Sequence, residues 1–241
     1  GNEWFEFRDD LTVWTDGTAP VDGHFLIEGL EPGEWAVRVY DPTGVHAAQF
    51  QDGALIPSAA SFTVLASGDS WAPVEITMQL GGSISGTVYD DGGTGLGGMQ
   101  VAAWIPFGGG YEWVVSAVTE PDGTYQIDGL APGDFYIEFQ GNTEWLGEYW
   151  STYPVGGTRD RGEADPITVK AGLTAGPVDA YLDAAASVSG YVTTDAGATK
   201  LIGMQVVPMR FERDGEYTWW NHRWDLSAQT DSDGLFTVGG L

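Results

Sequence analysis

Apolar and polar residues alternate along this chain in short runs, broken at intervals by glycine, proline and aspartate. In "SISGTVYD", residues 83–90, Ile84, Gly86 and Val88 fall on one side of an extended chain and Ser83, Ser85 and Thr87 on the other. This is the period-two pattern of a half-buried strand. "MQVAAWI", "EWVVSAVTE", "TYQIDGL", "FYIEFQ", "ITVKAG" and "VDAYLD" follow in order up to residue 183. Seven short strands with turn signals every ~8–15 residues predict a β-sandwich rather than strands alternating with helices. No segment sustains a helical period, and "NTEWLGEYWSTY", Asn142–Tyr153, predicts a long aromatic loop in preference to a helical turn. Asp122-Gly123 and Asp233-Gly234, with Asp22-Gly23 at the matching place earlier, are pairs of the type that closes a tight hairpin. Pro32-Gly33 and Pro132-Gly133 then turn the chain into the next strand.

The pattern repeats. Gly29-Leu30, Gly129-Leu130 and Gly240-Leu241 are spaced by 100 and 111 residues. "GSISGTV" from Gly82 is answered by "ASVSGYV" from Ala186, and "GMQV" at Gly98 recurs at Gly203. "FTVLASG…APVEITMQL" from Phe62 matches "ITVKAGLTAGPVDAYL" from Ile167, and "RDDLTVWTD" from Arg8 resembles "RWDLSAQTD" from Arg223. Matches in one consistent order define a unit of about a hundred residues. The expected division is a partial sandwich at 1–80 lacking its first strands, a complete one at 81–183, and a partial one at 184–241 lacking its last strands. Asp183–Ala186, "DAAA", is a short linker that predicts close contact between units. Two explanations for the partial ends stay open: a piece of a longer array, or completion by strands from a neighbouring copy.

Composition narrows the function classes. Thirty-six glycines, 12 prolines and 31 aromatics (11 Trp, 10 Tyr, 10 Phe) suit strands and turns. Cysteine is absent, which excludes disulfides, thiolate nucleophiles and Cys-based zinc sites. A formal net charge of −26 opposes nucleic acid and anionic lipid surfaces. No apolar run approaches ~18 residues, so no membrane insertion is expected in this region. The chain does not open on a basic-then-apolar leader, which leaves a mature or excised region of an exported protein, or no export, as alternatives.

The phrase T-x-x-D-G-x-[YF]-x-[IV]-x-G-L-x-P-G, spelled by Thr119–Gly133, resembles the carboxypeptidase regulatory-like modules. These are transthyretin-like (prealbumin-like) sandwiches grouped near the Cna B-type domains of bacterial surface proteins. The resemblance covers essentially the whole chain and implies tandem Ig-like, seven-stranded sandwiches, one complete and two partial. It also implies a secreted or cell-surface location and no catalysis by the module itself. Many Cna B-type modules carry an isopeptide crosslink from a lysine in the first strand. Here "SISGTVYD" and "SVSGYVTT" contain no lysine, and Lys170 and Lys200 lie elsewhere, so no crosslink is expected.

Three kinds of site bear on the function. Catalysis is not expected, because His24, His46 and His222 are scattered and no phosphate-binding loop occurs. Calcium is a candidate at Asp231 and Asp233, and at Asp90 and Asp91, although the Asp-Gly pair already has a turn role. Trp145, Tyr149, Trp150 and Tyr153 crowd one segment, and Tyr217, Trp219, Trp220 and Trp224 another. These rings either stack on sugars or plug sandwich ends and weld neighbouring units. The expected function is therefore a non-catalytic extracellular structural or adhesive region: stalk, spacer or filament subunit. Its partners would be further repeats or neighbouring copies. The alternative is a carbohydrate-binding module serving an enzyme outside this chain, with polysaccharide as the partner.

Overall fold

A computed structural model describes residues 25–152, 157–194, 199–214 and 217–241, the side chains of 211–214 and 217–219 excepted. Strands and short 3-10 turns are the regular elements among them, so the chain is all-β.

In the N-terminal stretch the strands are β1 (Gly33–Trp35), β2 (Arg38–Val39), β3 (Gln49–Phe50) and β4 (Thr63–Leu65). The central stretch carries β5 (Gly82–Asp90), β6 (Gln100–Phe107), β7 (Gly110–Val118), β8 (Thr124–Leu130) and β9 (Gly133–Phe139). There β10 (Glu148–Tyr149), β11 (Ile167–Val169), β12 (Thr174–Ala175) and β13 (Ala180–Leu182) follow. One sheet runs β7-β6-β9, with β10 and β11 sharing the far edge of β9; the other runs β8-β5, with β12 and β13 sharing the far edge of β5. All seven segments read as strands from the alternation contain one.

The inner faces carry the core. Ile84 and Val88 of β5, Val101 and Ala103 of β6, Ile127 of β8, and Phe135, Ile137 and Phe139 of β9 are all sealed from solvent. Tyr125 meets Phe139 edge-on, with centroids 6.0 Å apart, and donates its hydroxyl to the Val178 carbonyl at 2.7 Å. Burying each large apolar side chain here is worth roughly 1.5–3 kcal/mol. Gly86 lies where the alternation put it, on the inward side. A methyl group there would stand 2.0 Å from the Val178 carbonyl oxygen, so the glycine of "SISGTV" is set by close backbone approach.

The turns differ from the sequence reading at one point. Asp122-Gly123 does form a tight turn, with Gly123 N–H donating to the Glu120 carbonyl. It does not close a hairpin of paired strands, because β7 belongs to one sheet and β8 to the other. The tight hairpin is β6–β7, where Phe107 faces Gly110 across Gly108 and Gly109. Both glycines have positive φ (61° and 84°), as a two-residue turn matching strand twist requires.

The C-terminal stretch contains β14 (Val188–Tyr191), β15 (Thr193–Thr194), β16 (Thr199–Lys200), β17 (Gln205–Val206), β18 (Met209–Asp214), β19 (Tyr217–His222), β20 (Ala228–Gln229) and β21 (Leu235–Val238). Strand registers recur along the chain. Ile84 faces Ile127 in β5–β8, and Val188 faces Val238 in β14–β21. Gln100 faces Val118, and Gln205 faces Gln229. On the N-terminal side, Trp35 faces Thr63 as Phe135 faces Ile167, and Arg38 faces Phe50 as Glu138 faces Tyr149.

Candidate functional site

The acidic turns, candidate cation sites by sequence, turn their carboxylates on their own backbone. The Asp231 carboxylate accepts from the N–H groups of Asp233 and Leu235 at 2.8 and 3.0 Å. Asp90 accepts from Thr94 N–H at 2.7 Å, and Asp91 follows it on an exposed turn. Asp122 accepts from both the hydroxyl and the N–H of Thr124, bonds that hold its carboxyl below the usual range. Oxygens of Asp90 and Asp231 thus brace their own turns. Among the described residues no three His, Cys, Asp or Glu side chains converge in a way that could hold a metal.

The aromatic candidates separate into different environments. Trp145 and Trp150 are half-buried and pack against the core of the central sandwich. Tyr149, between Glu148 and Trp150 on the chain, packs on a different set of groups. Its hydroxyl donates to Glu138 at 2.9 Å, and its phenol is pushed up by burial first and the Glu138 bond second. Tyr153 lies outside the described residues, and of Tyr217 and Trp219 only the backbone, in β19, is described. Trp220 is 58% and Trp224 60% exposed, and the Trp224 ring stacks on His222 with planes 12° apart.

Arg161 is a focus that sequence reading missed. Its guanidinium lies over the rings of Trp104, Tyr149 and Tyr111 at 4.4, 4.9 and 5.5 Å, and 3.6 Å from the Glu138 carboxylate. Stacked cation–π contacts of this kind fix a sheet face rather than open it. Nothing local in the sequence signals it, because Trp104 and Arg161 come from distant segments. Of the two lysines, neither expected to form a crosslink, Lys200 rests its ammonium 4.9 Å over Tyr191, and Lys170 is exposed in the turn after β11.

The feature the structure makes most regular is the contact between successive stretches. Loop 44–48 hooks onto the connection ahead of β5, where Ala47 N–H donates to the Gln79 carbonyl and Gly81 N–H to the Val45 carbonyl. Loop 143–147 does the same to the next connection: Leu146 N–H donates to Asp183, and Ala185 N–H to Glu144. The bridged pairs correspond as well, His46 with Leu80 and Trp145 with Ala184. Each loop also touches the end of a strand further along, through Ala48 N–H to the Gly129 carbonyl in one case and Gly240 N–H to the Thr143 carbonyl in the other. Side-chain packing adds to the first contact. Ile56 is buried in the same cluster as the central core, and Arg38 donates to the Val114 carbonyl at 3.4 Å.

No helix among the described residues is long and apolar enough to cross a membrane. No family model matches the sequence, and no curated protein matches it. Among solved structures, the chain is similar to the TIE protein of Bacillus anthracis at 14% identity and a TM-score of 0.30, over 65% of this chain and 25% of that one. A streptococcal ancillary pilin matches at 12% identity and a TM-score of 0.31, over 89% and 65% of the two chains. The shaft pilin SpaA of Lactobacillus rhamnosus GG matches at 12% and 0.27, over 67% and 82%. The chain therefore spans less than two thirds of the first two structures.

Proposed function

We propose that the chain is a run of stacked sandwich units, 1–80, 81–183 and 184–241, of the carboxypeptidase regulatory-like or Cna B type. Its role is mechanical and non-catalytic: a stalk, spacer or filament region of a secreted or cell-surface protein. The observation that supports this reading is the junction made twice with the same backbone bonds, Ala47–Gln79 and Gly81–Val45 in one place and Leu146–Asp183 and Ala185–Glu144 in the other. A joint built from paired N–H and carbonyl groups holds one angle between neighbours, and repetition of one angle along a chain gives a stiff array. A flexible tether would have a polar, glycine- or serine-rich linker with its backbone groups left to water.

Small-angle scattering on the 241-residue chain tests this. The expected curve fits one rigid arrangement of units, and Leu146→Pro, which removes the N–H bonded to Asp183, lifts the high-angle scattering that marks loosened joints. A parent curve that requires freely jointed units would overturn the mechanical reading.

A further inference from the structure

The largest length difference between the central and the last unit among the matched stretches falls in one place. Between the equivalent pairs Gln100–Val118 and Gln205–Gln229, the last unit carries six more residues. The added length falls on the β18–β19 hairpin and the turn after it. Insertions at one point of a repeat project from the stacked core, which is where repeat arrays carry their binding faces.

This segment presents aromatic rings to solvent. Strand alternation places Trp220 and His222 on one face of β19, about 6.8 Å apart along the strand. Met209, directly opposite His222 in the pairing, is 45% exposed on that face. Beyond the strand, Trp224 continues the line with its ring parallel to His222 and centroids 6.1 Å apart. Two indoles about 60% exposed stand in contrast to Trp145 and Trp150, which the central unit packs against its core.

We propose that the strip Trp220–His222–Trp224 is a binding platform for an uncharged polysaccharide. A line of ring faces suits the flat C–H faces of successive pyranose rings in an extended glycan, and His222 and the indole N–H groups supply polar edges for the hydroxyls. Charge selects against acidic glycans. Arg223, between His222 and Trp224 on the chain, is bound by the Asp225 carboxylate through contacts of 2.6, 3.0 and 3.2 Å, and the chain as a whole carries −26. An anionic polymer would meet the strongly negative field of the whole chain.

Native affinity electrophoresis of the full chain through gels containing hydroxyethyl cellulose, glucomannan or polygalacturonate tests the proposal. Retardation is expected in one or both neutral gels and not in polygalacturonate. Trp220→Ala and Trp224→Ala should each weaken it roughly five- to tenfold, the size of one aromatic stacking contact. Trp224→Tyr should retain most of the binding, and Trp113→Ala, an exposed ring of the central unit, should leave it unchanged. Circular dichroism of each variant separates lost binding from lost fold. Free migration of the parent chain in both neutral gels would overturn the proposal. Retardation that survives in the folded Trp220→Ala/Trp224→Ala double variant, or that occurs only with polygalacturonate, would do so equally.

Discussion

Replacing Glu148 by glutamine should stabilise the central unit most at alkaline pH and progressively less as the pH falls toward 5. Glu148 begins the short strand β10, on the seam where the two sheets meet. One of its carboxylate oxygens is buried and has no hydrogen-bond partner. Burial, with the charge of Asp183 adding to it, pushes its pKa up to about 7 from an ordinary 4.5; the Tyr181 N–H and the Arg159 charge oppose the rise. The internal repeat supplies the natural comparison. Gln49 occupies the matching position in the first unit, is 6% exposed, and donates its amide to the Thr77 carbonyl at 3.2 Å. A neutral donor fits this seam, and an ionised carboxylate does not.

The sign follows from proton binding. With its native pKa above the unfolded one, the folded chain holds the extra proton between about pH 4.5 and pH 7. Stability therefore falls as pH rises through that window, and the penalty is complete above it. Each tenfold change in proton affinity is worth about 1.4 kcal/mol, which sets a ceiling near 3 kcal/mol. The side chain is only partly shielded, and solvent screening brings this to roughly 1–2 kcal/mol. For a unit of this size, about 4–8 °C of Tm accompanies each kcal/mol. Calorimetry of Glu148→Gln and parent chains at pH 8.5 and pH 5.5 checks the account, with the difference between them cancelling the general repulsion of the other carboxylates. A gain of about 5 °C or more is expected at pH 8.5, shrinking to less than half at pH 5.5. Equal Tm values at pH 8.5, or a gain independent of pH, would refute the reasoning.

Thr119→Val should cost about 2–3 kcal/mol in urea unfolding, because the buried hydroxyl accepts from Met99 N–H at 2.9 Å and donates to the Leu96 carbonyl at 2.6 Å; Thr119→Ser should recover most of it. Gly86→Ala should destabilise the central unit by about 2–3 kcal/mol in the same assay, since the added methyl meets the Val178 carbonyl rather than a side chain that can move.

Much of the fold was legible because the alternation carried it. Ile84 and Val88 were placed on one face by period two alone, and both are sealed in the core. The spacings of repeated phrases likewise anticipated the registers of β14–β21 and β17–β20, whereas the match of Phe62 to Ile167 was one residue out, since Thr63 faces Trp35 where Ile167 faces Phe135. Sheet membership was not legible: an Asp-Gly turn looks the same locally whether its flanking strands pair with each other or cross between sheets. Thr119 was visible only as the first letter of a motif. Its role emerges from Thr230, which accepts from Met204 N–H and donates to the Leu201 carbonyl at 2.9 and 2.7 Å, the same two bonds one repeat later. Among the aromatic candidates, residue type could not tell Trp145 from Trp224, because the difference lies in what the surrounding strands cover. Arg161 escaped for a related reason, since its three rings come from strands that the sequence does not bring together.

The repeated junction and the variable hairpin point to a division of labour. Residues that meet at the two junctions are unlike in side chain, His46 against Trp145, Val45 against Glu144 and Gln79 against Asp183, yet their backbone bonds are the same. A contact carried by N–H and carbonyl groups places little demand on residue type, so it persists while the sequence drifts. The freedom thus left to side chains is spent on faces that do not touch a neighbour in the stack. Gln49 becomes Glu148 on a seam, and a two-glycine hairpin at Gly108-Gly109 becomes a longer one bearing exposed tryptophans. Backbone contacts that recur while the side chains around them change are what the proposed stalk would need: a joint kept the same along the chain and surfaces free to differ from one stretch to the next.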